Sequence, residues 1–180
     1  TNTGDTNTGI CFPAADTIAF TSGTTETFRI TGSANIATGG EDTADVDAGG
    51  ITLDQNATDA KIMTFKSSDV AHGISAAGET DSYATFAKLS ATEGGLTITG
   101  AAEGDNGLIV GGYVSSESNT RATNANAPVV LRAQLKDGSD SGNMSGDQNL
   151  AAIKSNAVVR FLFDSDGDFH ADSSSTTYDA

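Results

Sequence analysis

The run Val129-Val130-Leu131-Arg132-Ala133-Gln134-Leu135-Lys136 decides how this chain is read. Val129, Leu131, Ala133 and Leu135 occupy alternate positions, with Arg132, Gln134 and Lys136 between them. Successive side chains of an extended strand point to opposite faces, so the spacing predicts a half-buried strand. Ala157, Val159, Phe161 and Phe163 repeat the spacing with Arg160 on the other face, and Tyr83, Thr85, Ala87 and Leu89 give a third case. Residues 51–54, 62–66, 96–99 and 108–114 are further strand candidates. No stretch carries a 3.6-residue apolar period with caps, so little helix is expected beyond one turn near 148–154. The reading is an all-β fold of short-stranded hairpins.

The segments between these runs are rich in Gly, Ser, Asn and Asp. Residues 33–47, 76–82, 115–127 and 137–149 read as acidic loops, the last as the most exposed or specialised of them. Asp137-Gly138 and Asp166-Gly167 are hairpin-type dipeptides. Gly49-Gly50-Ile51-Thr52-Leu53 is echoed by Gly94-Gly95-Leu96-Thr97-Ile98, and both copies read as a hairpin followed by a polar loop. Two copies fall short of a solenoid.

Composition sets a second constraint. Gly, Ala, Ser and Thr make up half of the 180 residues, while Leu, Ile, Val, Phe and Met number 36. A single copy therefore has a thin core, and sheets shared between identical chains would bury faces that one copy leaves wet. The expectation is sheets shared between subunits, fibre-like or sandwich-like, in a homotrimer. The lone Cys11 permits no disulfide within the chain and reads as a small strand residue. The net charge of −15 argues against nucleic-acid partners and anionic membranes. No apolar run is long enough to span a bilayer as a helix, so no membrane insertion is expected. The chain opens at Thr1 without Met and reads as a processed or trimmed piece.

Chemistry-bearing constellations are few. Asp164, Asp166 and Asp168 alternate around Gly167, and three carboxylates so placed can offer hard oxygen ligands to calcium. The complete calcium loop needs an acidic ligand at its twelfth position, counting Asp164 as the first, where Ser175 stands. The competing reading is a hairpin turn whose Asp side chains satisfy turn backbone, with Gly167 at positive φ, and the turn chemistry favours it. Calcium is thus a weak cofactor candidate; no other cofactor is expected. His72 and His170 have no ligand partner at metal spacing and read as hydrogen-bonding residues, unless an oligomer axis gathers three copies of one of them. With no Trp and three Tyr, the chain lacks the aromatic sugar platforms of a glycosidase cleft. It is read as a non-enzyme with no catalytic residue.

Residues 4–20, Gly4-Asp5-Thr6-Asn7-Thr8-Gly9-Ile10-Cys11-Phe12-Pro13-Ala14-Ala15-Asp16-Thr17-Ile18-Ala19-Phe20, followed by Glu26-Thr27-Phe28-Arg29-Ile30, carry a distinctive phrase. It resembles the GDTNTGI-x-FPAADTIAF motif of tail-fibre-like and other virion structural proteins of environmental, especially marine, tailed bacteriophages. Cys11 stands where an aromatic is usual and Phe28 where Met is usual; neither disturbs the strand alternation. Residues 46–55, 67–73 and 163–172 are similar to phrases of the same proteins, and 176–180 resembles a stretch that normally continues. The resemblance implies a virion-surface, extracellular, homotrimeric component: a tail-fibre, tail-tip or head-fibre protein that displays polar loops for host attachment. Its partners would be copies of itself, other virion proteins and a host surface glycan or protein. It also implies an N-terminal fibre-type strand module at 1–32 ahead of a β-rich domain at 33–180. Two other readings stay open: a subunit of an extracellular filament or surface layer, and a glycan-binding or glycan-degrading spike.

Overall fold

A computed structural model describes residue 4, residues 7–43 and residues 45–172. The chain divides into two units, Thr1–Ile109 and Val110–Ala180. The fold is all-β, with no helix among the described residues.

The first unit holds two sheets. One runs in the order β1 (Gly9–Cys11), β2 (Ile18–Ser22), β3 (Thr25–Ile30), β4 (Ile36–Thr38), β5 (Ile51–Thr52). All its neighbours are antiparallel except β4 and β5, which are parallel. The β2–β3 hairpin closes on Gly23 (φ 60°) and Thr24 (φ 72°), two successive positive-φ residues that match the right-handed twist of the strands. Thr24 is β-branched and ill suited to that region; its N–H is held by the Asn7 carbonyl at 3.2 Å.

Register assigns the two faces of this sheet. Ile18, Ile30, Ile36 and Ile51 stand opposite one another across four strands, and Ile10, Phe20 and Phe28 form the next row. Phe20 and Phe28 meet edge to face at 5.5 Å. Cys11, Ala19, Arg29 and Ala37 form the row between, which strand alternation places on the other face. There Ala19 and Ala37 are fully buried. Arg29, paired across the strands with both alanines, is held by a two-pronged ion pair to Glu26 at 2.6 and 2.8 Å. β4 and β5 extend the sheet of the N-terminal strands past residue 32.

The second sheet of this unit is β6 (Lys61–Lys66), β7 (Ser82–Ser90) and β8 (Gly94–Gly100), with β7 paired on both edges. It realises the strand read at Tyr83 to Leu89. On β7, Ser82 and Thr85 are buried, whereas Tyr83 and Leu89 are exposed.

The second unit holds a short hairpin, β9 (Leu135–Asp137) with β10 (Asp140–Gly142), and a three-stranded sheet, β11 (Asn149–Ser155), β12 (Val158–Asp164), β13 (Phe169–Ala171). Phe161 and Phe163 both pack on Phe169.

Several expectations need correction. The half-buried strand expected over Val129 to Leu135 is absent: strand begins only at Leu135, and Val129 and Leu131 are exposed. The reason is the return segment. After Asp137-Gly138 the chain reads Ser-Asp-Ser-Gly-Asn-Met-Ser-Gly, which has almost no strand formers, so pairing stops after three residue pairs. Residues 108–114 form no strand either. The turn expected near 148–154 is strand β11, fixed by its ladder to β12 despite its alanines. The loops read at 33–47 and 137–149 contain β4 and the β9–β10 turn. The Gly-Gly echo is not structural: β5 lies parallel to β4, whereas β8 is the antiparallel return of β7.

Candidate functional site

The Asp-rich turn joins β12 to β13. Asp164, the last residue of β12, is 5% exposed and faces into the turn. Its Oδ1 accepts the backbone N–H of Asp166 (3.1 Å) and of Asp168 (2.8 Å), and its Oδ2 meets His170 Nε2 at 2.8 Å. Backbone bonds from Asp164 N–H to the Asp168 carbonyl and from Gly167 N–H to the Asp164 carbonyl close the loop. Gly167 takes φ 93° at the bend. His170 arrives because β13 pairs with β12, setting it opposite Leu162.

This contact sets the electrostatics. The Asp164 carboxylate raises the His170 pKa above its ordinary 6.5. In return, His170, followed by the Asp168 N–H, holds Asp164 below its ordinary 3.8. Ser165 ties the turn to the preceding segment: its N–H donates to the Gln148 carbonyl at 2.9 Å, and its Oγ accepts the Gln148 N–H at 3.1 Å.

The three candidate calcium ligands are thus treated differently. Both oxygens of Asp164 face N–H donors, which is the wrong polarity for a cation, while Asp168 is exposed and Asp166 contributes its backbone N–H to the turn. Asp164 thus spends both of its carboxylate oxygens on N–H donors within the turn.

His72 is a pin. Its Nδ1 accepts the Ile74 N–H at 2.8 Å, so its Nε2 carries the proton and donates to the Ser82 carbonyl at 3.0 Å. With both ring nitrogens engaged, neither offers a lone pair outward. Cys11 is half-buried in β1, opposite Ala19.

The most distinctive feature is apolar. Among the described residues the buried apolar side chains are Ala19, Ala37 and Ala101, and no large side chain is fully buried. Exposed surfaces in both units hold what a core would normally take. In the first unit they include Ile10 of the five-stranded sheet and Phe12 just past β1, 62% and 75% exposed, and Met63, Phe65, Tyr83, Leu89, Leu96 and Ile98 of the second sheet. In the second unit they include two runs outside any strand. Val110, Tyr113 and Val114 lie on one, Val129, Val130 and Leu131 on the other, with Tyr113 fully exposed and Leu131 84% exposed. Residues 130–133 also wall an open groove of about 670 Å³ whose other side is Leu150, Ala151, Ala152 and Phe163. The groove brings Leu131 and Phe163 to one place, as the alternation of both runs invites, and its lining holds no carboxylate pair.

A scan against family models, a search of curated proteins and a search of solved structures each return no match.

Proposed function

We propose that this chain is a non-enzymatic structural subunit of a virion surface, a tail-fibre, tail-tip or head-fibre component whose core is completed by other copies of itself in a homotrimer. One observation carries the reading: the described residues bury three alanines and no large apolar side chain completely. Burying one large apolar side chain contributes about 1.5–3 kcal/mol, and ordering one residue's backbone costs roughly 1–2 kcal/mol. A chain that leaves Ile, Leu, Val, Phe and Tyr side chains wet needs a partner to cover them. The acidic surface suits dense display, since copies fixed on one particle repel except where they are built to touch. The placement on a virion rests on the sequence phrase at 4–30.

Two measurements test it. Native mass spectrometry gives the copy number, with three expected. Electron micrographs with a labelled antibody against the chain show where it sits: labelled fibres ending on a capsid or tail agree with the proposal, whereas label confined to free filaments assigns the chain to a filament or surface layer. New reducing ends from a surface polysaccharide would overturn the non-enzymatic reading.

A further inference from the structure

Residues 110–114 and 128–134 have strand sequences in a strandless state. Val110, Tyr113 and Val114 in the first, and Val129, Val130 and Leu131 in the second, are types that favour sheets. Among the described residues both runs lie outside every ladder. Among the described residues between 106 and 134, one backbone–backbone hydrogen bond occurs, from Ala125 N–H to the Ala122 carbonyl, and it lies in neither run. Their N–H and C=O groups are therefore open to a partner, the condition of an unprotected sheet edge.

The two runs pass close to each other. A Cβ built on Gly112 would lie 2.0 Å from the Pro128 carbonyl oxygen, so only glycine allows this approach. The six large side chains are 44% (Val129) to 100% (Tyr113) exposed.

Charge selects the occupant. The net charge of −15 makes copies repel over most of the surface. Residues 110–136 reverse the balance, with one acid, Glu117, against three bases, Arg121, Arg132 and Lys136. The apolar, unpaired stretch is thus opposite in charge to the rest of the surface, so an acidic neighbouring copy is drawn to it. We infer that run 110–114 of one copy, which carries no charged residue, pairs strand to strand with run 128–134 of the next, forming a sheet that exists only in the assembly. This rests on the self-association proposed above and assigns it a surface.

Hydrogen–deuterium exchange on the full chain tests the assignment. It is run at a concentration where sedimentation shows an oligomer, and again after dilution to the monomer. Amides of both runs should exchange at least tenfold more slowly in the oligomer. Val110→Asp combined with Leu131→Asp should raise the dissociation constant at least tenfold, while Leu89→Asp, at an exposed site on β7, should leave it unchanged. An oligomer whose 110–114 and 128–134 amides exchange as fast as in the monomer would overturn the assignment and leave self-association standing. A chain that stays monomeric at micromolar concentration would overturn both. Should the double variant fail to fold, the exchange comparison on the wild type decides alone.

Discussion

Strand β7 is hydrogen-bonded along both edges, to β6 and to β8; the run 128–134 is bonded along neither. Both alternate: β7 at Tyr83, Thr85, Ala87 and Leu89, the run at Val129, Leu131 and Ala133. What separates them lies outside the runs. β7 leads through a short reversal into Gly94 and Gly95, at φ 79° and 80°, and then into a seven-residue return strand. The run 128–134 is preceded by a polar stretch and followed by a return segment that pairs over three residues only. Alternation says which face a side chain takes once a strand exists; whether a partner strand is available is decided by the flanking turns. In the first region the chain supplies its own partners. In the second, on our reading, another copy supplies them.

Proline probes that difference most strongly. Thr85 is 5% exposed and sits mid-ladder, opposite Thr64 and Thr99. Thr85→Pro removes a ladder donor, and the partner left unsatisfied should destabilise the first unit by about 1–3 kcal/mol, read as a drop in the denaturant midpoint. Ala133→Pro enters a run without a ladder bond, so the dissociated chain should keep its β-sheet circular dichroism. In the assembly the same substitution should raise the dissociation constant about tenfold, roughly 1.4 kcal/mol. If the two prolines act alike on the dissociated chain, the contrast between the regions is wrong.

A middle-sized effect concerns the Asp164 turn. His170 has its pKa raised, so its contribution to stability is complete below its ordinary 6.5 and is lost as pH rises through the raised value. Asp164 has its pKa lowered, so its contribution is complete above 3.8 and is lost as pH falls through the lowered value. The pair is fully in force between those ordinary values. In Asp164→Asn the His170 imidazole resonance should titrate closer to 6.5 than in the wild type; an unchanged titration would remove the contact from the account. The smallest effect is expected at Leu89, 70% exposed on the paired strand: Leu89→Ser should move stability by no more than about 0.5 kcal/mol.

These contrasts also mark how much of the fold and site is legible in the sequence. The strands at 82–90 and 158–164 are legible because their alternation is long and each is flanked by a hairpin turn. Ile36 and Ile51 are not legible as partners, since β4 and β5 are three and two residues long and parallel, with no turn to announce them. The sequence Leu150-Ala151-Ala152-Ile153-Lys154 has a local helical bias that its ladder to β12 overrides. The Asp-x-Asp-Gly-Asp spacing reveals the turn and the role of Gly167. It cannot reveal that His170 reaches Asp164 Oδ2, because that contact depends on β13 folding back onto β12.

The central claim is that copies of the chain complete one another's apolar surface. Sedimentation velocity across nanomolar to micromolar concentration, paired with thermal unfolding followed by circular dichroism at each concentration, tests it most directly. A folded state that association stabilises has a midpoint that rises with concentration. The account predicts a trimer at micromolar concentration and a rising midpoint; a folded monomer throughout, with a midpoint independent of concentration, would contradict it.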